Sequence, residues 1–494
     1  MARNWTKAQS DAIYGRGGEI LVSAAAGSGK TAVLVERVIS LLTDDKNPIP
    51  ADRLLVVTFT NAAANEMRQR ISQALDDMMQ RDPDNSFLFQ QHLLLSKSSI
   101  CTIHSFCSEV IRDHFQLLDL SPDFRIADET ELGLLRSGAM EETLEKYYSS
   151  GGEAFTRLAE FFCYKDDRAL VDAVLEIYDF IRSHPFPLRW LKEKRELYLR
   201  AIETGENPWL PVLWDYFSSM MNYARELCVS ALRDLEKDDT VGKSYLPAFQ
   251  SDLASINAVI QFISQKNWDG LFDFLSVFRF EKLKPLRGTD PLKELLKNKR
   301  EEIKRLIGDL SQLVISCSDM DGIQQDLEMA LPVIQELFDV VEKFYIRLDE
   351  KKREKNVLDF SDLELLMMQL LWSESGETYE KSALAESLAE HFDEILVDEY
   401  QDTNEVQEAI FTAVSRNQEN LFMVGDVKQS IYRFRKAMPE IFMEKSDRFF
   451  SYDGVHFPAK IRLDKNFRSR PEVTAAVNYF FEMLMSRELG EVDY

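Results

Sequence analysis

Over the first hundred residues, short apolar runs alternate with stretches whose apolar positions recur at helical spacing. EILVS at residues 19–23 predicts a buried strand, and AVLVERVISLL after Thr31 predicts an amphipathic helix. A second strand, RLLVVTF (53–59), leads into the helix NAAANEMRQRISQAL, and SSICTIH (98–104) supplies a third short run before another helix. Strands alternating with helices form a parallel sheet. From about 115 to 385 strand signals nearly vanish, and apolar residues recur three and four apart, as in ALVDAVLEIYDFIRS and IQQDLEMALPVIQELFDVVEKFYIRLDE. His184-Pro185 and Asn207-Pro208 predict breaks inside this helical block, because the residue before a proline disfavours the helical conformation. Strands return with EILVDE (394–399), NLFMVGD (420–426) and KIRLDKN (460–466). The expected fold class is α/β: a parallel-sheet domain from residues 1–115 and 386–440, interrupted by an all-helical insertion at 116–385, with 441–494 beginning a second lobe.

A length of 494 residues suits about three compact units at roughly 150 residues each. With 59 Lys and Arg against 84 Asp and Glu the net charge is −25, which excludes holding nucleic acid by bulk positive charge. Any nucleic-acid site must be a local basic track. The five cysteines, Cys101, Cys107, Cys163, Cys228 and Cys317, are odd in number and form no CxxC pair, against a disulfide framework or zinc ribbon. The start, MARNWTKAQSD, lacks a signal-peptide core and no uninterrupted apolar stretch approaches 18 residues, so no membrane partner and a cytoplasmic location are expected.

SAAAGSGKT (Ser23 to Thr31) lies between a predicted strand and a predicted helix, the context a phosphate-binding loop requires. Gly27 and Gly29 let the backbone N–H groups of Ala26, Gly27, Ser28, Gly29, Lys30 and Thr31 turn toward a polyanion, and the helix adds its positive dipole end. Lys30 reaches the β and γ phosphates, and the Thr31 hydroxyl ligates Mg²⁺. Ala24 stands where the usual first glycine would be. A triphosphate loop needs a further carboxylate for the metal and a base for water. ILVDEYQD (395–402) supplies both, Asp398 for Mg²⁺ and Glu399 to polarise the attacking water. By themselves, acidic residues after a strand are also ordinary helix caps, which suits Asp402 and Thr403.

The order of Gln9, AGSGKT (26–31), TFTNAAANEMRQRI (58–71), TIHSFC (102–107), DEYQDTN (398–404), VGDVKQSIYRFRKA (424–437) and LDKNFRSRPEV (463–473) resembles superfamily 1 DNA helicases of the UvrD and RecB group. In that group alanine commonly replaces the first loop glycine. FRIADETE (124–131) and DFSDLE (359–364) look most like the AddA family, the helicase-nuclease components of recombination enzymes. The resemblance covers nearly the whole chain. It implies a RecA-like motor domain carrying the insertion, the start of a second RecA-like domain, and ATP and Mg²⁺ as cofactors. The partners it implies are single-stranded DNA, duplex DNA and a second protein of the AddB type. The family continues beyond motifs found here and carries a C-terminal nuclease, so this sequence is expected to be the N-terminal portion of a longer protein, and no nuclease residues are assigned.

The same resemblance implies that Gln9 reads the adenine edge, that Gln429 senses the γ-phosphate, and that Arg468 clamps that phosphate from the second lobe. Phe59, Thr60 and Asn61 at one strand end, and Thr102, His104 and Ser105 at another, would meet the DNA strand. On pattern alone Phe59 is equally a core residue and His104 a structural histidine. Tyr432 and Phe434 offer stacking faces interleaved with Lys428, Arg433, Arg435 and Lys436, the basic track that an acidic chain needs. DFSDLE either serves the site or caps the helix after it. The expected function is a 3′ to 5′ DNA translocase and helicase of recombinational repair. A DNA-binding or interaction module without its own motor activity, and a P-loop ATPase acting on protein or another substrate, remain the alternatives.

Overall fold

The computed structural model of the chain describes residues 4–163, 165–286, 291–376, 378–433 and 436–486. Strands β1 (Ile20–Ala24), β2 (Leu54–Thr58) and β3 (Ser99–Thr102) come from the first hundred residues. Inside the stretch expected to be all helical, β4 (Arg125–Ile126) pairs in parallel with β5 (Val357–Leu358), and β6 (Trp372–Ser375) pairs antiparallel with β7 (Thr378–Lys381). These ladders are too short to interrupt the helical periodicity. β8 (Glu394–Val397), β9 (Leu421–Gly425), β10 (Phe450–Ser451) and β11 (Ala459–Leu463) follow. Seven strands form one sheet in the order β10-β11-β1-β9-β8-β2-β3, with every neighbouring pair parallel.

The sheet buries both faces, and side chains alternate between them along each strand. Leu21, Leu55, Val57, Ile395, Val397, Leu421 and Met423 face one apolar layer, which includes residues of α5 (Ile103–Asp113) and of the helices Phe360–Leu371 and Glu405–Val414. Ile20, Val22, Leu54, Val56, Leu396, Phe422 and Val424 face the other, built from α1 (Lys7–Tyr14), α2 (Lys30–Leu42), α3 (Asn61–Arg81) and α4 (Ser86–Leu95). Because all neighbours run parallel, their C-terminal ends share one edge, the usual place for a ligand crevice in such sheets. Ala24, Thr58, Thr102, Val397, Gly425 and Leu463 all end there, each a few residues before a motif residue.

Two expected boundaries are corrected. Residues 441–494 do not begin as a separate lobe, since β10 and β11 extend the first sheet and Val22 pairs with Ile461. KIRL reads as a strand from its alternation, but alternation does not say which sheet accepts it. The chain divides into a unit of 1–146, 171–190 and 341–494 and a unit of 147–170 and 191–340, narrower than the insertion expected at 116–385. The helix Phe360–Leu371, inside that expected range, buries Leu363, Leu366, Met367 and Leu371 in the core under the sheet. Its start is a capping box of Asp359 and Asp362, so DFSDLE does cap a helix.

The second unit is helical in its core. The helix Leu210–Leu235 buries Trp214, Phe217, Met221, Ala224, Cys228, Ala231 and Leu235, alternating steps of three and four that place one stripe inward. Among the described residues no helix is long and apolar enough to cross a membrane.

Candidate functional site

After β1 the chain turns through Ala25–Gly29 into α2. Gly27 (φ +72°) and Gly29 (φ +88°) occupy the left-handed region that glycine enters without steric cost. A Cβ on Gly27 would also lie 2.8 Å from the Asn466 side chain. Three successive loop carbonyls are tied outward. Asn466 Nδ2 donates to Ala26 O (2.8 Å), Phe467 N–H to Gly27 O (2.9 Å), and Gln9 Nε2 to Ser28 O (3.0 Å). Pinning the carbonyls orients the loop, whose following helix begins with N–H groups that have no acceptor within the helix. Ser28 is 1% exposed and its hydroxyl oxygen is buried with no hydrogen-bond partner.

Lys30 Nζ donates to Glu399 Oε2 at 2.7 Å. Glu399 follows β8 and adopts φ +50°, a conformation non-glycine residues rarely enter and one concentrated at functional sites. Asp398, before it, accepts the Glu399 N–H, and its own N–H donates to Val57 O (2.9 Å). Burial, then the Glu399 charge, raises the Asp398 carboxyl to about 6, and the same two causes raise Asp402 to about 6. The buried Asp402 Oδ1 has no hydrogen-bond partner. Raised carboxyls and an orphaned carboxylate oxygen mark a place short of positive charge, which a divalent cation would supply. Among the described residues no group of three His, Cys, Asp or Glu could hold a metal on its own. That suits Mg²⁺, which keeps waters and phosphate oxygens beside one or two protein ligands.

A cavity of about 540 Å³ runs from Asp398, Glu399 and Asp402 to Phe59, Thr102, His104 and Tyr432. Phe59 and Tyr432 meet with ring centroids 4.9 Å apart, and Phe59 is 38% exposed, so the pair presents a face rather than filling the core. Thr60 and Thr102 are helix N-caps, accepting from Ala63 N–H and Ser105 N–H, and the Thr102 and Ser105 hydroxyls lie 2.9 Å apart. Asn61 is exposed in the first turn of α3. His104 Nε2 lies 3.2 Å from Glu364 Oε1, which also accepts from Gln407 Nε2.

The Gln9 amide is engaged on both sides, its oxygen accepting from Thr6 N–H (3.0 Å). Gln429 is exposed and donates to Asp426 Oδ2 at 2.6 Å. Arg433 pairs with Glu440, so Asp426 is not the sole acidic neighbour of the basic track, and Lys436 lies 5.2 Å over the Phe180 ring. Phe434 and Arg435 lie outside the described residues. Arg468 is exposed, and its N–H donates to Asn466 Oδ1 (2.8 Å). It therefore follows a segment joined to the Lys30 loop rather than arriving from a separate lobe. Sequence reasoning passed over Asn466 and Gln401, both inside quoted motifs; an amide in a run of charged residues was the available signal.

The pattern that defines the UvrD/REP helicase N-terminal domain matches residues 5–450. The chain is 43% identical over 506 residues to the A-type ATP-dependent helicase/nuclease protein of Acetivibrio thermocellus, covering 99% of this chain and 40% of that protein. The proteins of the same description from Clostridium kluyveri and Thermoanaerobacter sp. are 39% and 42% identical, each over 100% of this chain and 40% of the relative. The chain thus spans about 40% of the length of the curated relatives it matches.

Proposed function

The chain belongs to the UvrD/REP helicase family, and from that premise we propose that it is the ATP-driven motor portion of a DNA helicase acting in double-strand-break repair and recombination. The observation that carries this reading is the 2.7 Å contact between Lys30 and Glu399 at one end of a cavity whose other end is the Phe59–Tyr432 pair. A polyphosphate site and a face for bases share one sheet edge.

Lys30 exchanges Glu399 for the phosphates when nucleotide enters, with the loop N–H groups from Ala26 to Thr31 around them. Glu399, relieved of Lys30, accepts a proton from the attacking water. Thr31 and Asp398 would hold Mg²⁺, which when bound neutralises charge developing on the phosphates. Gln429 and Arg468 act at the γ-phosphate, and Gln9 secures the loop at Ser28 beside the base. Phe59 and Tyr432 stack on successive bases without reading sequence, as a motor that passes every base requires. Thr60, Asn61, Thr102, His104 and Ser105 line the approach to that face, and Phe434 and Arg435 continue it. By resemblance the direction is 3′ to 5′, and the description of the relatives as one component of a larger enzyme supports an AddB-type partner. The nuclease in that description is assigned to no residue of this chain.

ATP turnover with and without single-stranded DNA tests the reading. Turnover that rises with DNA and vanishes in Lys30→Ala is expected; turnover indifferent to DNA would count against a motor.

A further inference from the structure

We propose that Gln401 is a positioning residue that ties the strand-facing loop, Asp426 to Tyr432, to Glu399. The inference rests on the motor reading above. Gln401 is 2% exposed. Its Nε2 donates to Glu399 Oε2 (3.0 Å) and to Asp402 Oδ2 (3.2 Å), and its Oε1 accepts from Asp426 N–H (2.8 Å). Its backbone oxygen accepts from the Ser430 hydroxyl (3.4 Å). Gly425 admits this approach, since a Cβ there would lie 2.5 Å from Gln401 Oε1.

A side-chain amide is one of the few groups that can donate to two carboxylates at one end and accept a backbone N–H at the other. Glu399 Oε2 is shared between Lys30 and Gln401. Once Lys30 turns to phosphate, Gln401 is the side chain that still orients Glu399. Its other end is fastened to Asp426, which holds Gln429 through Oδ2 (2.6 Å) and leads along the loop to Tyr432. A base seated against Tyr432 shifts that loop, and the shift reaches Glu399 through one buried amide. Glu399 has two arrangements, paired with Lys30 or held by Gln401 alone, and both the nucleotide and the strand bias the choice between them.

The test compares wild type with Gln401→Met, which keeps the size and loses the amide, and Gln401→Glu, which keeps the acceptor for Asp426 N–H and loses the donor to Glu399. ATP turnover of the full chain is measured with and without an oligothymidylate, alongside KM for ATP and the thermal midpoint. The expected result is a fall of about tenfold or more in the ratio of stimulated to unstimulated turnover, with KM within about twofold, as displacement of a reacting group predicts. Two variants keep the test alive if one fails to fold. Equal proportional losses with and without DNA, leaving the ratio intact, would overturn the positioning role alone. Absence of stimulation in the wild type would overturn the motor reading and this inference with it.

Discussion

Lys30 and Glu399, 369 positions apart in the chain, meet at 2.7 Å, and each is the other's counter-ion at the edge of the sheet. A cation meant for phosphate and a carboxylate meant for water hold each other in check. Glu399→Gln should lower ATP turnover at least about a hundredfold, the scale expected for loss of a general base. Nucleotide affinity should hold or tighten, because Lys30 no longer has to leave a carboxylate. Steady-state turnover and titration with a fluorescent ATP analogue measure the two effects, and undiminished turnover would remove Glu399 from the chemistry.

Asp398 carries a stability cost that its role explains. Burial raises its carboxyl to about 6, above the ordinary unfolded value, so folding takes up a proton between roughly pH 4 and 6. Stability from this group therefore falls as pH rises through that window. Asp398→Asn should raise the nucleotide-free thermal midpoint at pH 7.5, corresponding to about 1–3 kcal/mol, while abolishing turnover. The gain should vanish below about pH 4, as melting curves across pH will register.

Asp359 has the opposite sign. Burial alone would raise its carboxyl, but Arg182 (2.6 and 2.9 Å) and Lys352 (3.3 Å) hold it well below the usual carboxylate range. A depressed folded value contributes stability that is present above the unfolded pKa and lost as pH falls through the folded one. Asp359→Asn leaves two buried cations short of a partner and should destabilise by about 3–5 kcal/mol at neutral pH. Urea unfolding should find that difference shrinking below about pH 4; a constant difference would mean the charge is immaterial.

Tyr432→Ala removes one ring of the pair with Phe59. Single-strand affinity should weaken by about 1–3 kcal/mol, by the same amount for oligonucleotides of different base composition. Fluorescence anisotropy with thymine-rich and adenine-rich strands distinguishes stacking from base reading, and a loss confined to one composition would contradict the stacking role.

Strand ends and the loop between them were readable along the chain because a buried strand writes its burial as a continuous apolar run, and Gly27 and Gly29 mark backbone that other residues avoid. The resemblance then attached roles to residues at those ends. The capping by Asp359 was also visible, as a local pattern of one helical turn. What tertiary structure decided was pairing at a distance. Periodicity marked KIRL as a strand but not β1 as its neighbour, and only that register brings Asn466 to the Ala26 carbonyl. Gln401 reads as one polar residue among several until the fold sets Gly425 and Asp426 against it. Local sequence encodes which face of an element is buried, because that depends on neighbours one or two turns away. Which buried groups meet depends on loop closures spanning hundreds of residues, and only the assembled sheet specifies those.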